Sequence, residues 1–299
     1  MKKQRAINTH RSTNDLNLVF YNRYDENFLF NKILALWFVC LEDETINKKF
    51  KGFISGYGMG GEDNDKRRLS LRAEIYFTVF LQFEALFALL IAKFQAEPHW
   101  LYLTNYATTE IKDRVRHFLS HDISKLTNGA VDTVEDFINQ SVYANLGTPE
   151  NDPNSMWQVN LHNIAYILEQ IARRYADDLK EYNGYKHGLR ITRSNDVQLQ
   201  IPGLPPLKFE ETIGYIDFAD EAGSKITIDV VKTISPEQSF YEMYLMQRML
   251  RVIKVFRLAE LKDEIPPVNQ EDPPEMHFFW DLDKGGLKER ERFWATLNV

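Results

Sequence analysis

The chain has 299 residues and a formal net charge of −7, with 26% charged and 44% hydrophobic residues. This composition is ordinary for a globular protein, and the length suffices for one large core or two smaller ones. The acidic balance excludes a general nucleic-acid coat protein, which would be strongly basic, but it is compatible with a local basic site. Cys40 is the only cysteine, which excludes an intramolecular disulfide and favours a reducing, cytoplasmic location.

The N-terminal residues 1–25 are predicted to form a flexible basic arm. Within residues 1–24, Asp15 is the only acid beside five lysines and arginines, and the apolar residues show little periodicity. An alternative is an arm that docks on a partner or on phosphate groups. A helical pattern begins at Glu26, and residues 26–264 are predicted to form a helical domain.

Residues 75–92 are almost wholly apolar. Their length approaches the ~20 residues that cross a bilayer. However, Gln82 and Glu84 lie near the centre, and an ionised carboxylate there would cost about 3 kcal/mol in lipid. We therefore predict a buried core helix and no membrane contact.

The longest helical pattern follows a turn and cap cluster at 151–155 and runs to about His187. Its apolar residues recur every three or four positions and form one stripe, namely Leu161, Ile164, Leu168, Ile171, Tyr175, Leu179 and Tyr182. Further on, residues 213–218 and 225–231 are predicted to be the two strands of an antiparallel hairpin. Ser235 and Pro236 then begin a helix that runs to about Glu264.

The C-terminal part divides into a proline-rich, acidic linker at 265–275 and an aromatic tail at 276–299. We expect the tail to pack on the body or on a protein partner, because it is too aromatic for a disordered segment. The predicted fold class is mainly α, a helical bundle with an inserted antiparallel β-hairpin near 213–231.

A polar run with the sequence YNGYKHGLR, residues 182–190, ends the longest helical pattern. Asn183 and His187 are four residues apart, so a helix places them on one face. An imidazole there could act as a general acid or base, and the cations beside it could hold an anion. The candidate residues are His187 for catalysis and Lys180, Asn183, Lys186 and Arg190 for anion or RNA binding. The alternative is an ordinary helix end, because Gly188 is a common stop and the dipole favours cations there.

A long helix that ends in Y-N-x-Y-K-H-G, followed by strands and another long helix, resembles the HEPN superfamily of helical domains over about residues 70–264. The resemblance implies a helical bundle that commonly forms a homodimer. Many members are metal-independent ribonucleases of toxin, antiviral or CRISPR-linked systems, and others are inactive binding or assembly modules. Active members carry R-x(4–6)-H, often with a polar residue after the arginine. Around His187, Lys180 stands where the arginine would be, and Asn183 matches only the polar position.

A literal R-x4-H match lies between Arg116 and His121, with His117 as the polar second residue and Arg114 at the longer spacing. On a continuous helix Arg114, His117 and His121 would share a face. Under the resemblance, these side chains would surround a phosphate and cleave RNA by acid–base catalysis through the 2′-hydroxyl. Two alternatives stand beside this hypothesis: the arm contains the same spacing between Arg5 and His10, and residues 120–122 fit a helix cap.

His117 and His121 also have the i, i+4 spacing of a zinc-binding helix, but the glutamate of H-E-x-x-H is missing. We predict no metal site and no cofactor. The leading hypothesis is a HEPN-like ribonuclease or RNA-binding effector of a toxin–antitoxin or antiviral defence system, acting as a homodimer. The alternatives are a non-catalytic assembly module that uses the aromatic tail, and a helical protein that binds a small anionic ligand near His187.

Overall fold

The structure is a computed structural model, and it describes residues 12–40, 48–49, 64–146, 156–186, 191–194, 197–199, 205, 207–209, 212–221 and 224–264. The helices are α1 (Thr13–Arg23), α2 (Phe28–Cys40), α3 (Asn64–Ala92), α4 (His99–Asn105), α5 (Thr108–Leu119), α6 (Ile123–Leu126), α7 (Val134–Tyr143), α8 (Met156–Asp177), α9 (Leu179–Lys186) and α10 (Pro236–Lys262). The predicted linker at 265–275 and the predicted tail at 276–299 lie outside the described residues.

The strands lie between α9 and α10 in the sequence. They are β1 (Ile191–Ser194), β2 (Val197–Leu199), β3 (Leu207–Phe209), β4 (Thr212–Glu221) and β5 (Ser224–Thr233). One sheet has the order β1-β4-β5, and β2 pairs with β3 in another. All these pairings are antiparallel, and Tyr215 of the central strand lies opposite both Ile191 and Val230.

The predicted fold class is confirmed in its mainly helical part and wrong in its β part. A single hairpin near 213–231 is not what the fold contains, because the described strands form a three-stranded and a two-stranded sheet. The strands outside the predicted hairpin are β1, β2 and β3, and they have only four, three and three residues. Segments this short carry too little alternation to predict a strand, and their state depends on pairing, of β1 with β4 and of β2 with β3.

Residues 13–23 lie inside the segment predicted to be a flexible arm, yet they form α1. A capping box begins the helix: the Ser12 side chain accepts from the Asp15 N–H at 3.2 Å, and the Asp15 carboxylate accepts from the Ser12 N–H at 3.1 Å. Asn17 and Tyr21 are 5% and 0% exposed. Tertiary contacts therefore hold the helix in place. The weak periodicity of its sequence does not predict those contacts.

The chain divides into two compact units. The first unit comprises residues 1–26, 83–176 and 246–299, and the second comprises 27–82 and 177–245. The predicted domain 26–264 contributes residues to both units. The divisions fall after residue 26, inside α3, near the end of α8 and inside α10.

A row of phenylalanines joins three helices in the first unit. Phe118 of α5 contacts Phe87 of α3, with ring centroids 5.7 Å apart, and Phe137 of α7 at 5.9 Å. Phe94 stacks on Phe137 at 5.7 Å. Phe87, Phe118 and Phe137 are at most 3% exposed, so apolar burial positions α5.

Aromatic contacts also hold the second unit. Tyr185 of α9 stacks on Phe77 of α3 with ring centroids 4.3 Å apart, and Tyr182 contacts Phe80 at 5.3 Å. The Tyr76 hydroxyl donates to the buried Asp178 carboxylate at 2.5 Å. Asp178 stands at the break between α8 and α9, where the sequence had predicted one continuous helix.

Helix α3 is the most apolar long helix among the described residues. Its segment Arg67–Ala92 is long and apolar enough to cross a membrane by length and composition. Of the apolar 18-residue stretch within it, 89% is buried inside the protein. The burial predicted for residues 75–92 is confirmed, including the polar residues Gln82 and Glu84 at 2% and 5% exposure. The Tyr175 hydroxyl donates to the Glu84 carboxylate at 2.9 Å and so satisfies part of its hydrogen-bonding capacity.

Arg257 of α10 is a buried cation in the first unit, with a side chain that is 0% exposed. Its Nη2 donates to the Ser141 carbonyl at 2.6 Å, and its Nη1 donates to the Glu260 carboxylate at 3.1 Å. Glu260 also accepts from the Lys93 ammonium. A buried guanidinium is tolerated only when such partners replace its lost water.

We predict that Arg257→Ala lowers the free energy of unfolding by about 3 kcal/mol or more, because it leaves a cavity and removes the donor to the buried Ser141 carbonyl. Urea unfolding at neutral pH measures this loss. The control is Lys262→Ala on the same helix, whose ammonium lies 3.9 Å from Glu264 on the surface. The control is expected to change stability by less than ~0.5 kcal/mol, and equal losses in both variants would contradict the role given to Arg257.

Candidate functional site

Helix α5 carries the literal R-x4-H match, and its apolar face fixes its orientation. Ile111, Val115 and Phe118 are at most 3% exposed, so the polar residues between them face outward. Glu110 lies in the first turn, and Arg116 and His117 lie in the last turn. This charge distribution suits the helix dipole.

His121 does not continue the face of α5, because the helix ends at Leu119. The His121 backbone has φ 56°, the left-handed region that ends a helix, and its N–H donates to the Phe118 carbonyl at 3.0 Å. The shared face expected for Arg114, His117 and His121 required a continuous helix. The turn therefore separates His121 from the other two.

The Arg114 guanidinium is hydrogen-bonded to the C-terminal end of α6. Its Nη1 donates to the carbonyls of Lys125 and Leu126, both at 2.8 Å, and to the Asn128 side-chain oxygen at 3.0 Å. These carbonyls belong to the last turn of α6, which lacks intrahelical partners. Arg114 thus tethers α6 to α5, and this structural role accounts for its conformation.

A shallow depression of about 760 Å³ lies beside Arg114 and His117. His117 Nδ1 is 4.0 Å from the Asp122 carboxylate, but Asp122 is engaged more closely by the Lys125 ammonium at 2.6 Å. That hydrogen bond to Lys125 lowers the pKa of the Asp122 carboxyl. The depression mixes both signs of charge, since its lining residues are Thr109, Glu110, Asp113, Arg114, His117, Ser124, Lys125 and Asn128.

Arg116 is an exposed side chain, 62% accessible, and pairs with Asp113 at 3.1 Å. Arg116 is not among the described residues that line this depression, nor among those that line the groove containing His121. The structure therefore does not bring Arg116 and His121 to one cavity, although their spacing in the sequence fits the expected pattern.

His121 instead lines a groove of about 430 Å³ in the first unit, and His162 of α8 lines the same groove. Tyr166, one helical turn beyond His162, also lines it and is 59% exposed. The N-terminus of α7 forms another wall with Thr133, whose side chain accepts from the Asp136 N–H at 3.1 Å. The remaining lining residues are Phe118, Ile123, Asp132, Val134, Glu135, Ala165 and Glu169.

The sequence patterns did not point to His162 or Tyr166 as site residues. The two lie on the exposed side of α8, opposite the buried stripe that begins at Leu161 and Ile164. Amphipathic periodicity predicts that exposure, but nothing in the sequence places His162 beside His121, which is 41 residues earlier by their numbers. Both residues line one groove because the tertiary fold brings α8 and the turn after α5 to it.

The polar run at 182–190 is only partly described. Tyr182 is buried, while Lys180 and Lys186 are exposed and Asn183 is half-buried. The Lys186 ammonium lies 4.2 Å from the centroid of the Tyr182 ring, a cation–π contact. His187 and Arg190 lie outside the described residues. The described part of the run thus anchors α9 in the second unit through its tyrosines.

A buried polar cluster in the first unit centres on His99. A hydrogen bond of 2.7 Å joins the Tyr21 hydroxyl to His99 Nδ1, and the backbone N–H of His99 donates to Asn17 Oδ1 at 2.8 Å. Burial, with smaller contributions from Arg257 and Lys93, lowers the pKa of His99 to about 3. Burial also raises the pKa of Tyr21 to about 12. Both groups are therefore neutral at pH 7, and His99 is 8% exposed, as expected for a structural cluster.

No group of three His, Cys, Asp or Glu residues in the described ranges is arranged to hold a metal ion. Comparison of the chain with protein-family models, with curated proteins and with solved structures gave no match. The fold and the groove therefore define a mainly helical protein with a two-histidine groove, and the resemblance to the HEPN superfamily stays a prediction.

We predict that the stability of the protein falls as the pH drops from 6.5 towards 3. Folded His99 stays neutral over this range, whereas the unfolded chain takes up a proton near pH 6.5. The unfolded state is thereby favoured by roughly 3 kcal/mol at pH 4 from this residue alone. Urea unfolding at pH 8, 6 and 4 measures the slope.

His99→Asn removes the titrating group, so its stability is expected to depend less on pH than that of the wild type, although the variant is less stable at pH 8. His162→Asn, on the exposed side of α8, is the matched control and keeps the wild-type slope. An unchanged slope in His99→Asn would show that other groups cause the acid sensitivity.

Proposed function

We propose that this protein is a HEPN-like ribonuclease that cleaves RNA without a metal ion, with His121 and His162 as its general acid and base. The observation that carries the proposal is the single groove of about 430 Å³ that both imidazoles line. The biological setting that follows from the resemblance is toxin or antiviral defence.

Two imidazoles in one groove suit cleavage at the RNA 2′-hydroxyl. One imidazole removes the 2′-hydroxyl proton, and the 2′-oxygen attacks the adjacent phosphorus. The bond from phosphorus to the 5′-oxygen then breaks, and the other imidazole, as its imidazolium, protonates that oxygen. The products are a 2′,3′-cyclic phosphate and a free 5′-hydroxyl. Histidine suits both roles because its usual pKa is close to neutral pH.

The electrostatics of the groove include one favourable contribution and one that opposes binding. The N-terminus of α7, at Thr133 and Val134, lines the groove, and the positive end of the helix dipole favours a phosphate there. Asp132 and Glu135 also line the groove and repel phosphate. Glu169 is ion-paired with Arg173, whose Nε donates to it at 3.2 Å. We therefore expect weak binding of RNA, with a Kd of about 1 μM or higher.

We expect His121→Ala and His162→Ala each to lower the single-turnover cleavage rate by about 100-fold or more, the usual loss for a general acid or base. The assay uses purified protein, a mixed-sequence labelled RNA and excess EDTA. Detection of a 2′,3′-cyclic phosphate end identifies the chemistry. Both side chains are exposed, so circular dichroism should show that the variants fold normally.

The controls are His117→Ala and Arg116→Ala. His117 lines the other depression and Arg116 lines neither cavity, so both variants should cleave within about threefold of the wild type, as expected for residues outside the reacting groups. Loss of cleavage in Arg116→Ala would favour the R-x4-H pair over the two-histidine groove. Absence of cleavage by the wild type on every RNA tested would remove the catalytic proposal altogether.

A further inference from the structure

Tyr166 is an exposed aromatic side chain in the two-histidine groove, and acid–base chemistry gives it no role. It is 59% exposed and lines the groove of about 430 Å³ together with His121 and His162. The volume of the groove falls within the range of small-ligand sites, about 300–1,000 Å³. An exposed ring in a groove offers a flat apolar face on which an unpaired nucleic-acid base can stack.

The position of Tyr166 on α8 suits a base that belongs to the reacting strand. His162 and Tyr166 are four residues apart, and Glu169 follows three residues later. The three side chains are therefore neighbours on one helix face, with Cβ atoms roughly 6 Å apart. A phosphate beside His162 then lies one helical turn from the Tyr166 ring, and the ribose between a phosphate and its base can span such a gap.

The acidic residues of the groove restrict which base fits. Glu169 is ion-paired with Arg173, whereas the exposed carboxylates of Asp132 and Glu135 have no ion-pair or hydrogen-bond partner within the described residues. An ionised carboxylate only accepts hydrogen bonds, through its two oxygens. Asp132 and Glu135 repel a phosphate, so the part of a nucleotide that suits them is a base edge that carries donors.

Guanine is the base whose edge matches a carboxylate. Its N1–H and its N2 amino group are adjacent donors on the base-pairing edge, and they can meet both carboxylate oxygens. The same edge of adenine or cytosine has a ring-nitrogen acceptor beside its amino group, and that of uracil has a carbonyl on each side of its N3–H. Each of these three bases therefore turns an acceptor towards the carboxylate, which is repulsive.

We propose that Tyr166 stacks an unpaired guanine of the RNA strand, an assignment that rests on the ribonuclease function proposed above. The carboxylates of Asp132 and Glu135 accept hydrogen bonds from the N1–H and the N2 amino group of that guanine. A guanine held in this way brings the adjoining phosphate to His162, so cleavage occurs next to guanine. The acidic residues that oppose phosphate binding thereby become the residues that select the base.

Binding of strands that cannot be cleaved tests this recognition apart from catalysis. Short labelled uridine strands with 2′-O-methyl riboses carry guanine, adenine, cytosine or uracil at the centre, and fluorescence anisotropy measures each Kd. The guanine strand should bind about tenfold or more tightly than the other three, as expected for a good two-hydrogen-bond pair. Equal affinity for all four strands overturns the proposal. Free guanosine monophosphate that binds as tightly as the guanine strand would indicate a mononucleotide pocket and also overturns it.

Variants separate stacking from recognition of the base edge. Tyr166→Ala should weaken the binding of every strand by about fivefold or more, while Tyr166→Phe keeps the wild-type affinity because its ring still stacks. Asp132→Asn combined with Glu135→Gln should abolish the preference for guanine. The same double variant should bind the other three strands more tightly, because two charges that repel phosphate are gone.

Asp136→Asn is the matched control for the double variant. Asp136 lies in the first turn of the same helix as Glu135 but is not among the described residues that line the groove. This control should keep the preference for guanine, and circular dichroism confirms that each variant is folded. A double variant that still prefers guanine, or a Tyr166→Ala variant with wild-type affinity for every strand, contradicts the proposal.

Cleavage sites on a mixed-sequence RNA then distinguish the guanine site from the ribonuclease function. The wild type should cleave next to guanine about tenfold or more often than elsewhere, matching its binding preference. A preference for guanine in binding without any cleavage would support the guanine site and remove the ribonuclease function. Cleavage without a preference for guanine would leave the ribonuclease function in place and overturn the guanine site.

Discussion

The removal of α3 from water is the constraint on which the rest of the fold depends. Residues 75–92 of this 29-residue helix are apolar on nearly all sides, and such a segment is stable in water only when other helices surround it. In the second unit, Tyr182 and Tyr185 of α9 cover Phe77 and Phe80. In the first unit, Phe118 of α5 contacts Phe87. Each large side chain buried in this way contributes about 1.5–3 kcal/mol. The buried polar groups follow from the same constraint, since Glu84 inside α3 requires the Tyr175 hydroxyl.

The sequence predicted those elements whose stability is encoded in their own periodicity. The apolar stripe of α8 and the proline-capped start of α10 were placed correctly, because a 3.6-residue period and a capping pattern are local signals. Three other features depend on distant partners and were missed. The break at Asp178 involves the Tyr76 hydroxyl, α1 involves the contact of Tyr21 with His99, and β1 involves pairing with β4. In each case the partner lies many residues away, so local sequence carries no sign of it.

The candidate site shows the same division between local and distant information. The R-x4-H spacing between Arg116 and His121 is a local pattern, and its interpretation required a continuous helix. The helix ends at Leu119, so His121 turns towards α8 and Arg116 stays on the surface with Asp113. His162 could be predicted to be exposed, but not to line the same groove as His121. A motif defined by spacing alone therefore predicts a shared site only if the secondary structure assumed between its residues is correct.

The left-handed backbone of His121 makes its side chain costly to the fold, whatever that side chain does. A residue other than glycine with φ 56° carries a backbone strain of the order of 1 kcal/mol, which glycine would not. Replacement of His121 by glycine would therefore relieve the turn while deleting the imidazole. Selection for thermal stability alone would drive this position towards glycine, whereas selection for an activity that uses the side chain would retain histidine. The residue that variants carry at position 121 after each kind of selection would therefore show whether stability or an activity of the side chain is selected there.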